Sequence, residues 1–316
     1  MSKPHPLSNR PWFLSPHIIV MAIALTVYVL LGYILPTPTA RPAYNFTPLQ
    51  IFIIRITVLV PWIATAALGT IGYVRLRRYA ESVPDRTASR PFRLLSMGIM
   101  VLIWSLVIAS IVGQVRSHYI YNHAIVVPIT IFANYLYALA PLVGFAIIWK
   151  AVRKMSGNPQ PLQLSAATIV AIVVLVGLAV SYIALIFTNP NRQTDVSATI
   201  PATYYLPDWL TVATIALPVI ASWVVGFAAV ARIREYQRKV SGIIYRKFMG
   251  TLSYGVALFV SGSILYEGLL SLGTQRLLNA GLGAVFVLIY LFLTVQFVGY
   301  LLVSKAAKKL TIIEEV

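Results

Sequence analysis

One long stretch of this chain occurs twice. Residues 61–79 read PWIATAALGTIGYVRLRRY, and residues 218–236 read PVIASWVVGFAAVARIREY. Laid over each other without a gap, Pro61 meets Pro218, Ile63 meets Ile220, Ala64 meets Ala221 and Thr65 meets Ser222. Gly69 then falls on Gly226, Arg75 on Arg232, Arg77 on Arg234 and Tyr79 on Tyr236. The same register carries Leu95, Ser96 and Gly98 onto Leu252, Ser253 and Gly255. Each copy is an apolar run closed by a basic flank, so the repeated unit contains a membrane helix and its anchor.

Only a membrane protein accommodates this composition. Hydrophobic residues make up 59% and charged residues 10%, too little charge to cover a water-soluble surface. The net charge of +17 could point to nucleic acid, but the basic residues sit in short clusters between apolar runs. That placement belongs to membrane loops, and no nucleic-acid partner is expected. The absence of cysteine excludes disulfides, thiolate metal sites and cysteine nucleophiles.

Apolar runs of spanning length fall at 17–35, 50–74, 94–115, 124–149, 165–187, 209–231, 248–272 and 279–303. A cleaved signal peptide competes for the first run, but its apolar core would be shorter, and its counterpart in the second half must be retained. The expected architecture is an all-α integral membrane protein of eight transmembrane helices. These form two tandem four-helix repeats of the same topology, residues 1–155 and 164–316, joined by the turn-rich linker 156–163. The fourth spans correspond too, since Trp149-Lys150-Ala151 and Ser304-Lys305-Ala306 close them in the same way.

With eight spans both termini share a side. Twenty of the 25 Lys and Arg fall on that side, four fall opposite, and Arg55 lies within a span. The positive-inside rule then puts both termini in the cytoplasm, in the plasma membrane by expectation. An even number of helices per unit relates the halves by a pseudo-two-fold axis along the membrane normal.

The repeated positions have two readings. Pro61 and Pro218 bend their helices mid-span, and Thr65-x3-Gly69 and Ser222-x3-Gly226 place small residues one turn apart. Ser105, Ala109 and Gly113 form a similar stripe, as do Ser253, Ala257 and Ser261. A proline hinge with sliding faces is one reading; helix packing is the plainer and preferred one. The basic ends at Arg75, Arg77, Arg232 and Arg234 are read as topological anchors in contact with anionic lipid head groups.

Two charges interrupt the apolar runs, Arg55 in the second and Glu267 in the seventh. Both lie about one turn below the outer surface, and a lone charge in hydrocarbon costs a few kcal/mol, so an Arg55–Glu267 pair is a hypothesis. Its competitors are a purely structural bridge and snorkelling of Arg55 to the head groups. Asn134 belongs to a polar stripe with Thr130, Tyr137 and Pro141, and Gln296 occupies the position matching Pro141. Bonds between helices are expected of these, ahead of ligand contact. His118 and His123 read as interfacial histidines, and no metal or other cofactor is expected. In the outer loop 188–208, Tyr204 and Tyr205, with Trp209 just beyond, read as an interface belt or as part of a lid.

No paired carboxylates, HExxH, GxSxG or phosphate-cradling loop appears, so no enzyme is expected, an intramembrane enzyme using Glu267 being the one exception. Two functions stay open. One is a membrane-embedded sensory, scaffold or assembly module acting through a membrane-protein partner or lipids, its tails too short for an output domain. The other is a secondary transporter for an apolar, amphipathic or lipid-like solute near Arg55 and Glu267.

Overall fold

The computed structural model describes residues 15–31, 48–118, 123–156, 166–188, 209, 212–266 and 282–311. Among the described residues there are eight α-helices: α1 Pro16–Val29, α2 Pro48–Ser82, α3 Arg86–His118, α4 His123–Met155, α5 Ala166–Thr188, α6 Leu217–Lys239, α7 Ile243–Ser263 and α8 Leu282–Thr311. A π-helical turn, Val212–Ala216, leads directly into α6. Each of the eight apolar runs overlaps one of these helices over its described residues. Among the described residues five stretches are long and apolar enough to cross a membrane: Ile56–Ser82, Arg86–Val112, Val212–Lys239, Ile243–Tyr266 and Val287–Leu310. Pro16–Val29 is apolar but shorter.

Local chemistry sets the boundaries. Pro84 follows α2 and cannot continue it. Asp85 caps α3, its Oδ1 accepting the Thr87 amide at 2.8 Å while its carbonyl accepts the Ser89 amide at 2.9 Å. At the other inter-helix turn the Arg246 guanidinium donates to the Val240 carbonyl beyond the end of α6, at 3.1 Å. The two repeated prolines are accommodated differently. Pro61 lies inside continuous α2, whereas Pro218 stands just after the π-turn, which absorbs the missing backbone donor.

Six helices close a ring in the order α2, α3, α4, α6, α7, α8 and back to α2, while α1 lies against α2 and α3 and α5 against α6 and its π-turn. His17 at the start of α1 meets Tyr73 of α2 through an Nε2–hydroxyl hydrogen bond of 3.0 Å. Tyr28, near the other end of α1, stacks on Trp62 at 4.1 Å between ring centroids, so α1 runs antiparallel to α2. Trp223, Tyr300, Phe145 and Phe248 are the largest fully buried side chains.

The outer faces are as apolar as the centre. Val170 and Val173 of α5 are 61% and 64% exposed, and Ile23 of α1 is 59% exposed. A monomer in water does not carry contiguous apolar surface on this scale, but lipid covers it at no cost. The chain is a multi-pass integral membrane protein.

Candidate functional site

Small residues let the ring helices touch backbone to backbone. An ideal Cβ on Gly98 of α3 would lie 2.6 Å from Ile148 Cγ1 and 2.9 Å from the carbonyl oxygen of Gly144 on α4. On α7, a Cβ on Gly255 would lie 2.9 Å from Val303 Cγ2 and 3.1 Å from the carbonyl oxygen of Gly299 on α8. Side chains larger than hydrogen are excluded at both crossings. Gly69 is pressed between Ile103 of α3 and Tyr300 of α8, at 2.7 and 2.8 Å from its notional Cβ. Gly226 is pressed in the same manner between Val260 of α7 and Phe145 of α4.

Directly beyond these crossings, away from the basic helix ends, α3, α4, α7 and α8 diverge around a half-enclosed cleft of about 60 Å³. One wall carries Leu102, Ser105 and Leu106 of α3 with Pro141 and Phe145 of α4. The opposite wall carries Phe259, Ser263 and Tyr266 from the end of α7, with Phe292, Gln296 and Tyr300 of α8. The two walls differ in chemistry. Ser105 spends its hydroxyl on the Leu102 carbonyl at 2.8 Å, leaving the first wall apolar. Ser263, Gln296 and Tyr300 have no hydrogen-bond partner among the described residues, although Tyr300 is only 2% exposed. The Gln296 amide lies so close over Gly262 that no Cβ fits there. In the sequence alignment of the two copies Gly262 falls on Ser105 and Gln296 on Pro141, so the longer side chain packs against a glycine.

The basic ends are tied into the bundle to different degrees. Arg75 donates to the Ser304 hydroxyl at 3.1 Å and to its carbonyl at 3.3 Å, joining α2 to α8. Arg77 pairs with Glu81 one turn on, at 2.5 Å, with both side chains well exposed. Arg232 pairs with Glu235 at 2.6 Å, and Arg234 lies over the Tyr254 ring at 5.5 Å. The Tyr79 and Tyr245 hydroxyls share a hydrogen bond at 2.5 Å, linking α2 to α7, and Lys309 of α8 donates to Thr251 of α7 at 2.8 Å. Lys154, beyond the membrane-spanning part of α4, is held below the ordinary lysine value by desolvation and by nearby Arg90 and Lys150.

Of the residues singled out in the sequence, Gly69 and Gly226 occupy tight helix crossings, and Gln296 and Pro141 face the cleft. The Gln296 amide, expected to bond another helix, has no partner among the described residues. Arg55 falls within α2 and Asn134 within α4, but their side chains lie outside the described part of the structure, and Glu267 lies outside the described residues altogether. The loop aromatics Tyr204 and Tyr205 lie outside them too. Gly144, Gly299, Ser263 and Tyr300 were not legible as site residues. Compared with protein-family models, curated proteins and solved structures, the chain gives no match in any of the three.

Proposed function

We propose that this protein is a non-enzymatic membrane module, a sensor, scaffold or assembly subunit that acts through a membrane-protein partner or through lipids. In this reading it consists of two tandem four-helix repeats of the same topology, with both termini in the cytoplasm of a plasma-membrane protein. Matched contacts support the duplication: Gly69 between Ile103 and Tyr300 corresponds position by position to Gly226 between Val260 and Phe145. The crossings Gly98–Gly144 and Gly255–Gly299 correspond likewise. The outward-facing Lys and Arg of the helix ends, Lys154 among them, would meet anionic lipid head groups.

One observation carries the choice of a module. The helix pairs bordering the cleft cross closely at Gly98–Gly144 and Gly255–Gly299, and among the described residues no Asp, Glu, Lys, Arg or His lines it. Ion-coupled movement of a polar solute needs ionisable groups near the midplane and a path on both sides of them. Reconstitution in liposomes tests the reading. Co-purification of a fixed partner with no saturable flux across a solute panel is expected, and saturable flux overturns it.

The cleft itself favours a second reading, a carrier of an apolar or amphipathic solute whose site includes Arg55 and Glu267. Arg55→Leu and Glu267→Gln address that site directly. If flux or binding survives both substitutions, those two charges take no part in it.

A further inference from the structure

We infer that the cleft between α3, α4, α7 and α8 is a binding seat for a small neutral amphipath, an apolar chain or ring with one uncharged oxygen head such as a hydroxyl or carbonyl. This goes beyond the module reading, because sensor and carrier alike could use such a seat.

The fold leaves several polar groups of this cleft without partners among the described residues. A buried polar group with no hydrogen bond is costly, and native proteins rarely tolerate several in one place. Three polar groups line this one cleft with no bond among the described residues: the hydroxyl of buried Tyr300, and the Gln296 amide and Ser263 hydroxyl, both on partly exposed residues. Gln296 and Tyr300 are one turn apart on α8, so they share a face, and Ser263 stands across from them on α7. Together they offer donors and acceptors to an oxygen-bearing head. Facing them, Leu102, Leu106, Pro141 and Phe145 offer only hydrocarbon.

The polar groups without a partner among the described residues lie on one wall alone, the Ser105 hydroxyl of the other being bonded to Leu102. In the repeat register Ser263, Gln296 and Tyr300 stand where the first half has Leu106, Pro141 and Phe145. A symmetric dry core would have kept both walls apolar. The asymmetry orients a guest, with its head to α7 and α8 and its body to α3 and α4.

Charge and size narrow the ligand further. Among the described residues no acid or base lines the cleft, so an ionised head would find no counter-ion from them. A volume of about 60 Å³ exceeds what one water needs but is well short of a drug-sized pocket, so the seat takes a head group and a short length of chain or one ring. The half-open side leaves room for the remainder to lie outside the cleft.

The test uses the full chain in lipid nanodiscs with a photoactivatable dodecanol, and the same twelve-carbon probe ending in a carboxylate or a trimethylammonium. Expected are saturable crosslinks to cleft residues such as Phe145, Phe259 and Tyr300, displaced by unlabelled dodecanol, with the charged probes at least tenfold weaker. Tyr300→Phe and Gln296→Leu, which keep shape and lose a polar group, should each weaken displacement by dodecanol about five- to tenfold. Displacement by dodecane should not change. Labelling confined to lipid-facing residues of α5, equal labelling by the charged probes, or unchanged dodecanol affinity in both variants would each overturn the proposal and leave a merely hydrated cleft. If one variant does not fold, the other variant and the wild-type probe series still decide.

Discussion

Gly98 and Gly144 meet so closely that a methyl group on the first would press on the carbonyl oxygen of the second, at 2.9 Å. Gly255 and Gly299 meet in nearly the same way, and each crossing closes one pair of helices beneath the central cleft. In a bilayer, where lipid tails are as apolar as leucine, such close backbone approach is a main source of helix association.

Replacing either crossing glycine should therefore be severe. Gly98→Val and Gly255→Val are each expected to destabilise the protein by about 2–3 kcal/mol through overpacking against backbone that cannot yield. Gly177→Val on α5, where a new Cβ meets nothing within 4 Å, should change stability by less than about 0.5 kcal/mol. Unfolding in mixed micelles on titration with sodium dodecyl sulfate measures all three, and equal effects would contradict the crossing geometry.

Gly262 and Gln296 should behave as a coupled pair. Gly262→Ala forces the Gln296 amide aside and is expected to cost about 1–2 kcal/mol. In the Gln296→Ala background the same change should cost little. A double-mutant cycle reads the difference as a coupling of about 1 kcal/mol, and additivity would separate the two residues.

The repeated arginines are not equivalent. Arg75→Met removes two hydrogen bonds from a guanidinium to Ser304 and is expected to cost about 2 kcal/mol. Arg77→Met removes an ion pair whose side chains are 42% and 49% exposed, and should cost less than about 0.5 kcal/mol. Thermal unfolding of the two variants in one detergent compares them directly.

A chain without cysteine is a ready background for mapping sidedness. Ser241→Cys, between α6 and α7, is expected to resist a membrane-impermeant maleimide in intact cells and react after permeabilisation. Ser117→Cys, at the far end of α3, should react in intact cells. The reverse pattern would invert the assigned orientation.

Much of the bundle was legible because small residues and basic flanks survive in register. Gly69, Gly226, Gly98 and Gly255 all align in the sequence, and all four sit where another helix's backbone or core side chains come within 3 Å of a notional Cβ, with Gly226 the tightest. The cleft was not legible. In a helix whose lipid face and core face are both apolar, periodicity does not say which side points inward. Phe145 and Tyr300 look like any aromatic in an apolar run, and Ser263 looks like a packing residue. Gln296, Pro141 and Ser105 stand out in the sequence, but as packing or interhelical bonding positions rather than as the lining of a cleft. Arg55, Glu267 and Asn134 drew attention as polar groups in apolar runs, but their side chains fall outside the described residues.

The closed order of the six central helices has a consequence for how the polypeptide can be divided. α2 rests on α8 and α4 on α6, so neither the front nor the rear portion completes its own wall. Severed between Ser156 and Ala166 and produced as two fragments, the pieces should recover each other in the membrane. Either fragment made alone should be degraded or should seek a second copy of itself.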